Sequence, residues 1–179
     1  MTKHMIVREL TQQEMAAIAA WRYPGRYATY NVDDPSELAR DHWAVCEQGA
    51  LVGYCCFGEP ARVGNAEARA DTLDVGYGLA PELMGRGTGR RFVEAIVEFA
   101  LERYDVRWVR LFILEWNARS RAVAASLGFV CESAIQTDEG DFLVMVRLGR
   151  PAARRAKARS AVALGHARRV EEYVCWSTA

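Results

Sequence analysis

Glycines at alternate positions in Leu79-Ala80-Pro81-Glu82-Leu83-Met84-Gly85-Arg86-Gly87-Thr88-Gly89-Arg90 are the chemically most telling feature of this chain. Gly85, Gly87 and Gly89 let the backbone turn tightly with its amides pointing inward, and no Cβ blocks an approaching phosphate. The segment leads into a predicted helix, whose positive N-terminal end adds to the pull on an anion. Arg86, Arg90 and Arg91 bring side-chain charge to the rim. The chemistry implied is an anion cradle. A triphosphate P-loop would need Gly-Lys-Ser/Thr, which is missing. A dinucleotide fingerprint needs G-x-G-x-x-G after the first strand of a βαβ unit, whereas this loop follows several strands with other spacing. A glycine-rich turn holding no ligand is the bland alternative. Other chemistries lack their groups. Cys46, Cys55, Cys56, Cys131 and Cys175 form no CxxC pair, and with His4, His42 and His166 they show no zinc spacing, so no metal is expected. Nor does any histidine sit in a nucleophile context.

The elements that must position this loop can be read from periodicity and punctuation. Residues 5–10 form a first strand. Thr11-Gln12-Gln13-Glu14 is a capping box opening a helix with Met15, Ile18, Ala19 and Trp21 on one face, ended by Pro24-Gly25. A loop rich in tyrosine follows, carrying Tyr23, Tyr27 and Tyr30, and Asp34-Pro35 opens a second short helix. Residues 42–46 and 51–57 make a hairpin turning at Gln48-Gly49, and 60–69 read as loop. A strand over 71–79 precedes the glycine loop. Phe92, Val93, Ile96, Val97, Ala100 and Leu101 then repeat at helical spacing as far as Tyr104. Residues 106–114 are a strand, 118–127 a helix stopped by Gly128, and 129–135 with 142–148 a closing hairpin. Mixed strands and helices in this order predict an α+β domain of three layers, with helices on both faces of a mostly antiparallel sheet.

Two blocks of this sequence resemble the GNAT N-acetyltransferase superfamily, over nearly all of residues 5–148. In that family a strand ending in V-x-P leads into Q/R-x-x-G-x-G/A, matched here by Leu79-Ala80-Pro81 and Met84 to Gly89. A second block, strand, Asn, short helix and L-G-F, is matched by Leu111 to Asn117 and Leu127-Gly128-Phe129. Asp74-Val75-Gly76-Tyr77-Gly78-Leu79 and the spacing of Asn117 and Ser120 are most similar to the branch of ribosomal-protein N-terminal acetyltransferases.

The resemblance implies acetyl-CoA as the acyl-donor cosubstrate and an amine as acceptor. It implies that Val75, Tyr77 and Leu79 hold the pantetheine arm, that their strand and the one from Val106 splay apart, and that Met84, Gly85, Arg86, Gly87, Thr88, Gly89 and Arg90 hold the pyrophosphate. Met84 stands where Gln or Arg is usual, so only its backbone is expected to help. The Leu79 amide is the expected oxyanion donor. The family's tyrosine acid falls at Ala124, leaving Asn117 and Ser120 as the polar groups near the thiol, with helix capping as their ordinary role. Asp74 is the first choice of general base, with Glu59, Asp71 and Glu115 as rivals and an exposed strand carboxylate as the plain alternative. Acceptor contacts are expected from Trp21, Tyr23, Tyr27 and Tyr30, with Asp33 and Asp34 nearby to suit a cationic amine. A non-catalytic acyl-CoA-binding regulatory module on the same fold is the rival class.

Composition sets the frame. The chain of 179 residues is 51% hydrophobic and 26% charged, that of one ordinary globular domain. No run is apolar enough for a bilayer and no secretory h-region opens the chain, so cytoplasmic residence without a membrane partner is expected. Residues 1–149 hold 16 basic against 21 acidic side chains, and 150–179 hold 7 against 2. The acidic body is read as the catalytic domain, and the Ala/Arg-rich remainder as a helical or partly disordered extension. Its aromatics are only Tyr173 and Trp176, which argues against nucleic acid as a partner. A homodimer is compatible with this reading.

Overall fold

The computed structural model describes residues 4–149; the expected basic extension lies outside the described residues. Strand β1 (Met5–Glu9) is followed by helix α1 (Gln12–Ala19), then by β2 (His42–Glu47), β3 (Ala50–Phe57) and β4 (Thr72–Leu79). Helix α2 (Gly89–Arg103), β5 (Trp108–Leu114), α3 (Ala118–Ser126), β6 (Val130–Thr137) and β7 (Gly140–Leu148) complete it. The seven strands form one sheet in the order β1-β2-β3-β4-β5-β7-β6, antiparallel except for β4 beside β5. With helices packed on it, this is the expected GNAT-like α+β architecture. Among the described residues no helix is long and apolar enough to cross a membrane.

Local chemistry explains most boundaries. The capping box forms as read: Thr11 Oγ1 accepts from the Glu14 amide at 3.2 Å, and Glu14 Oε2 accepts from the Thr11 amide at 3.0 Å. Helix α1 nevertheless ends at Ala19, short of Pro24-Gly25, and Trp21 lies past its end. The tyrosine segment is a 3-10 stretch over Gly25–Tyr30, and the second short helix is a single 3-10 turn over Pro35–Leu38 capped by Asp34. At the β2–β3 turn Gln48 and Gly49 both take positive φ, of 53° and 84°, as a primed hairpin turn requires.

The core lies between the sheet and α2, whose Phe92, Val93, Ile96, Val97 and Ala100 are all buried. Each of the larger four contributes about 1.5–3 kcal/mol of burial. They meet Leu73 and Val75 of β4 and Val109 and Leu111 of β5. The opposite face of β4 is made of Asp74, Gly76 and Gly78, as strand alternation predicts. Gly78 leaves room there for the Tyr54 ring: a Cβ would sit 2.4 Å from Tyr54 Cε1.

The sheet is interrupted at one seam. Strands β4 and β5 pair at only three rungs, Thr72↔Trp108, Leu73↔Val109 and Asp74↔Arg110. Beyond them β4 stays with β3 as far as Leu79, and β5 stays with β7 as far as Leu114. The two strands part like the arms of a V.

Candidate active site

The gap of the V has an open backbone edge whose direction can be worked out. The Ala80 amide donates to the Val52 carbonyl at 2.9 Å, and the Asp74 carbonyl accepts from the Gly58 amide at 2.9 Å. Both bonds run to the β3 side. Because backbone groups alternate sides along a strand, those of Val75, Tyr77 and Leu79 point across the gap. The Leu79 carbonyl confirms the direction by accepting from Tyr23 Oη at 2.9 Å. A ligand chain carrying its own amides can lie here as a strand would.

At one end of this edge stands the glycine loop. Gly85 and Gly87 have φ of 73° and 76°, a region that side-chain-bearing residues seldom occupy. A Cβ on either would meet nothing within 4 Å, so glycine is needed for the bend and not for space. Gly89 differs: it opens α2, and its Cβ would lie 3.1 Å from Val123 Cγ2. The N-cap residue of α2, Thr88, makes no side-chain bond to the helix. The first amides of a helix have no partner within it, and here the cap leaves them to an anion.

The rim charges are less mobile than their sequence implies. Arg90 Nη1 donates to the Ser126 carbonyl at 2.5 Å, tying the loop to the end of α3. Arg91 reaches Glu47 at 2.9 Å. Arg86 is exposed.

At the other end, Asn117 caps α3 by accepting from the Ser120 amide at 3.1 Å, and its Nδ2 donates to Tyr30 Oη at 2.9 Å. Ser120 Oγ lies 2.8 Å from Tyr77 Oη. Ser120 thus sits in the first turn of α3 while its hydroxyl joins a second one from β4. Burial pushes the Tyr77 phenol up to about 12, against the lowering effect of the Ser120 bond, so the phenol stays protonated at neutral pH. Burial also raises Tyr23, Tyr30 and Tyr54.

These raised phenols predict an alkaline transition. A folded pKa above the unfolded value of about 10 contributes stability that is complete below that pH. It is lost as pH climbs through the folded value, which for Tyr77 is about 12. Melting temperature should hold to near pH 10 and fall steeply above it. A Tyr77→Phe variant should lose less stability over that interval, measured by thermal melts against pH.

Together these walls enclose a cavity of about 560 Å³. It is lined by Val75, Tyr77, Leu79, Met84, Gly85, Gly87, Gly89, Arg90, Asn117 and Ser120, and by Tyr23, Tyr27 and Tyr30. Arg86, Thr88 and Trp21 are not in the lining, although Trp21 packs on Tyr54, which is. Tyr54, Phe112, Arg119 and Val123 line the cavity without having been expected from the sequence. Tyr54 had a signal: glycines at 76 and 78 in a strand mark a bulky neighbour.

Asp74 requires a correction. Its carboxylate is 2% exposed, with Arg110 Nε on Oδ1 at 2.5 Å and Arg62 Nε on Oδ2 at 2.7 Å. Both oxygens are engaged by guanidinium groups, and the residue is not part of the cavity lining. The residue is neither an exposed strand carboxylate nor placed to take a proton from an amine. Glu59, Asp71 and Glu115 are exposed and lie outside the lining as well. Asp33 sits on Arg22 at 3.9 Å and Asp34 on the Ser36 amide, so neither reaches the cavity.

The backbone edge and the open helix end fit the pantetheine and pyrophosphate of coenzyme A in sequence along one cleft. Comparison with known proteins agrees. A search of curated proteins finds no match. Among solved structures, the aminoglycoside acetyltransferase AAC(6')-Ib, in complex with ribostamycin and coenzyme A, superposes with a TM-score of 0.66 at 18% identity, covering 80% of this chain and 93% of that one. The ribosomal-protein-S5-alanine acetyltransferase of Vibrio fischeri gives 0.62 at 18%, covering 84% and 98%. The yncA protein of Salmonella typhimurium, solved with its cofactor acetyl-CoA, gives 0.61 at 23%, covering 83% and 96%. These likenesses establish the fold. The model of the acetyltransferase (GNAT) domain matches residues 3–130, most of the chain, and the protein accordingly belongs to the GNAT acetyltransferases, enzymes that use acetyl-CoA.

Proposed function

We propose that residues 1–149 transfer an acetyl group from acetyl-CoA to a primary amine of a small molecule or peptide, by direct attack while both are bound. The open edge of Val75, Tyr77 and Leu79 carries this reading, because it runs from an anion-seeking helix end to a pair of hydroxyls. Bound acetyl-CoA supplies a thioester carbonyl and, on transfer, a thiolate leaving group. Residues at the hydroxyl end then do the rest. Ser120 holds a proton at Oγ for the thiolate, and Tyr77, kept neutral by burial, backs that proton through its own hydroxyl. A carbon–nitrogen bond forms, the carbon–sulfur bond breaks, and the amine's proton passes to water. Among the described residues no carboxylate or histidine lines the cavity to receive it. The amide of Leu79 faces the gap, where it can donate to the carbonyl oxygen. The free, buried thiols of Cys46, Cys55 and Cys56 suit a reducing, cytoplasmic setting.

Acetyl-CoA should raise the melting temperature, and an amine panel should release free thiol. A Gly87→Val change forces a β-branched side chain into a φ of 76°. Strain of about 1–3 kcal/mol should weaken acetyl-CoA binding roughly 10- to 100-fold, read by titration calorimetry. An unchanged affinity sinks the cradle. The second reading, a binding module without turnover, draws on Ala124, buried where related enzymes carry a tyrosine. Tight coenzyme binding with no thiol release on any amine would favour it.

A further inference from the structure

The half of the cavity facing the acceptor is an aromatic box with the wrong charge for a polycation. Tyr23, Tyr27, Tyr30 and Tyr54 supply its rings. Of the described side chains in the cavity wall only Arg90 and Arg119 are charged, and the Arg90 guanidinium is held by the Ser126 carbonyl. The Arg119 guanidinium lies 5.4 Å from the centre of the Tyr27 ring, with no ion pair among the described residues. Just outside, the Arg26 guanidinium lies 4.5 Å from the centre of the Trp116 ring, and Trp116 packs edge-on against Tyr27 at 5.1 Å. Two stacked cations therefore mark the mouth.

Among the described residues no acid balances them at the wall. Glu37 and Glu82 act on Tyr54 and Tyr23 electrostatically, yet both are exposed and outside the lining. An ammonium group entering such a space loses water and gains no carboxylate, so its neutral form is favoured. A weakly basic amine arrives already neutral and needs no side-chain base before attack, its proton passing to water afterwards, which agrees with the absence of such a base from the described lining. Flat rings suit an aromatic or apolar body. The guanidinium groups at the mouth suit a carboxylate.

Resting on the acetyltransferase reading, we infer that the acceptor is a small, weakly basic amine on a flat aromatic or apolar body, bearing one anionic group that meets Arg119. The test compares 4-aminobenzoate, aniline and spermidine on the CoA-loaded protein by titration calorimetry, and in parallel by thiol release from acetyl-CoA. 4-Aminobenzoate should bind at least about tenfold tighter than spermidine, with aniline between them. Arg119→Glu should remove most of the advantage of 4-aminobenzoate over aniline. Spermidine binding as tightly as 4-aminobenzoate, no detectable 4-aminobenzoate binding, or an unchanged preference in Arg119→Glu overturns the inference. The two readings fail separately. Faster thiol release with spermidine leaves an acetyltransferase with a different acceptor, whereas the expected binding order without thiol release leaves the acceptor chemistry and removes the transferase.

Discussion

Ser120→Ala should lower kcat by roughly 10²- to 10⁴-fold, the usual contribution of a positioned proton donor, while acetyl-CoA affinity changes little. The split follows from how Ser120 is held. Its amide donates to Asn117 Oδ1 at 3.1 Å, and an alanine keeps that amide, so the cap of α3 survives. Only the hydroxyl is lost, and with it the bond to Tyr77 Oη at 2.8 Å. Tyr77→Phe should act in the same direction but less, since Ser120 would remain against the thiolate with its proton no longer backed. The measurement is steady-state and single-turnover kinetics with the best acceptor. Retention of more than about half the activity in Ser120→Ala removes the residue from the proton path.

Asp74→Leu should cost about 3–5 kcal/mol of stability, because it strands a guanidinium that is 2% exposed. Arg110 would keep its hydrogen bond to the Glu67 carbonyl, at 2.8 Å, and its place over the Phe112 ring, but no counter-charge. For a chain of this size the loss corresponds to a fall in melting temperature on the order of 10 °C. The double change Asp74→Leu with Arg110→Met should recover much of it, since buried pairs often give way to apolar side chains without net loss. This double variant also settles the chemistry. With the fold restored, turnover within about tenfold of the parent is expected, as Asp74 is ion-paired and outside the cavity lining; a collapse of kcat would reinstate it as the base. A single-variant loss under about 1 kcal/mol would show the pair to be structurally idle.

The parts of this molecule that follow local rules are legible in the amino-acid sequence. The capping box at Thr11 and Glu14, the glycine stop at Gly128, the apolar face of α2 and the glycine cradle all depend on residues a few positions apart. The helix starting at Gly89 and the strand ending at Leu79 can be placed to within a residue or two for that reason. What fails depends on partners distant in the chain. Asp74 reads as a free acid until Arg62, 12 positions away, and Arg110, 36 positions away, are brought against it. Asp33 and Asp34 look close to the tyrosines in sequence, but the 3-10 turns direct them to Arg22 and Ser36. Tyr54 and Arg119 come to the cavity from separate elements, and nothing in their own neighbourhoods marks them. The tyrosines at 23, 27 and 30 share the cavity wall because the spacing that makes them conspicuous also gathers them at and beside one 3-10 segment.

The three-rung seam between β4 and β5 carries a consequence for the empty protein. One sheet is in effect two half-sheets stitched at a short join, with the buried face of α2 sharing one core with β4 and β5. If the cosubstrate lies along Val75 to Leu79 as proposed, it takes the place of the missing rungs and serves as mortar as well as reagent. At one hundred times its Kd such a ligand adds about 2.7 kcal/mol to the folded state. Amide exchange in the β4 arm should therefore slow on loading far more than in the β2–β3 hairpin, which is already paired from His42↔Cys56 to Glu47↔Ala50 but for one bulge beside Val45.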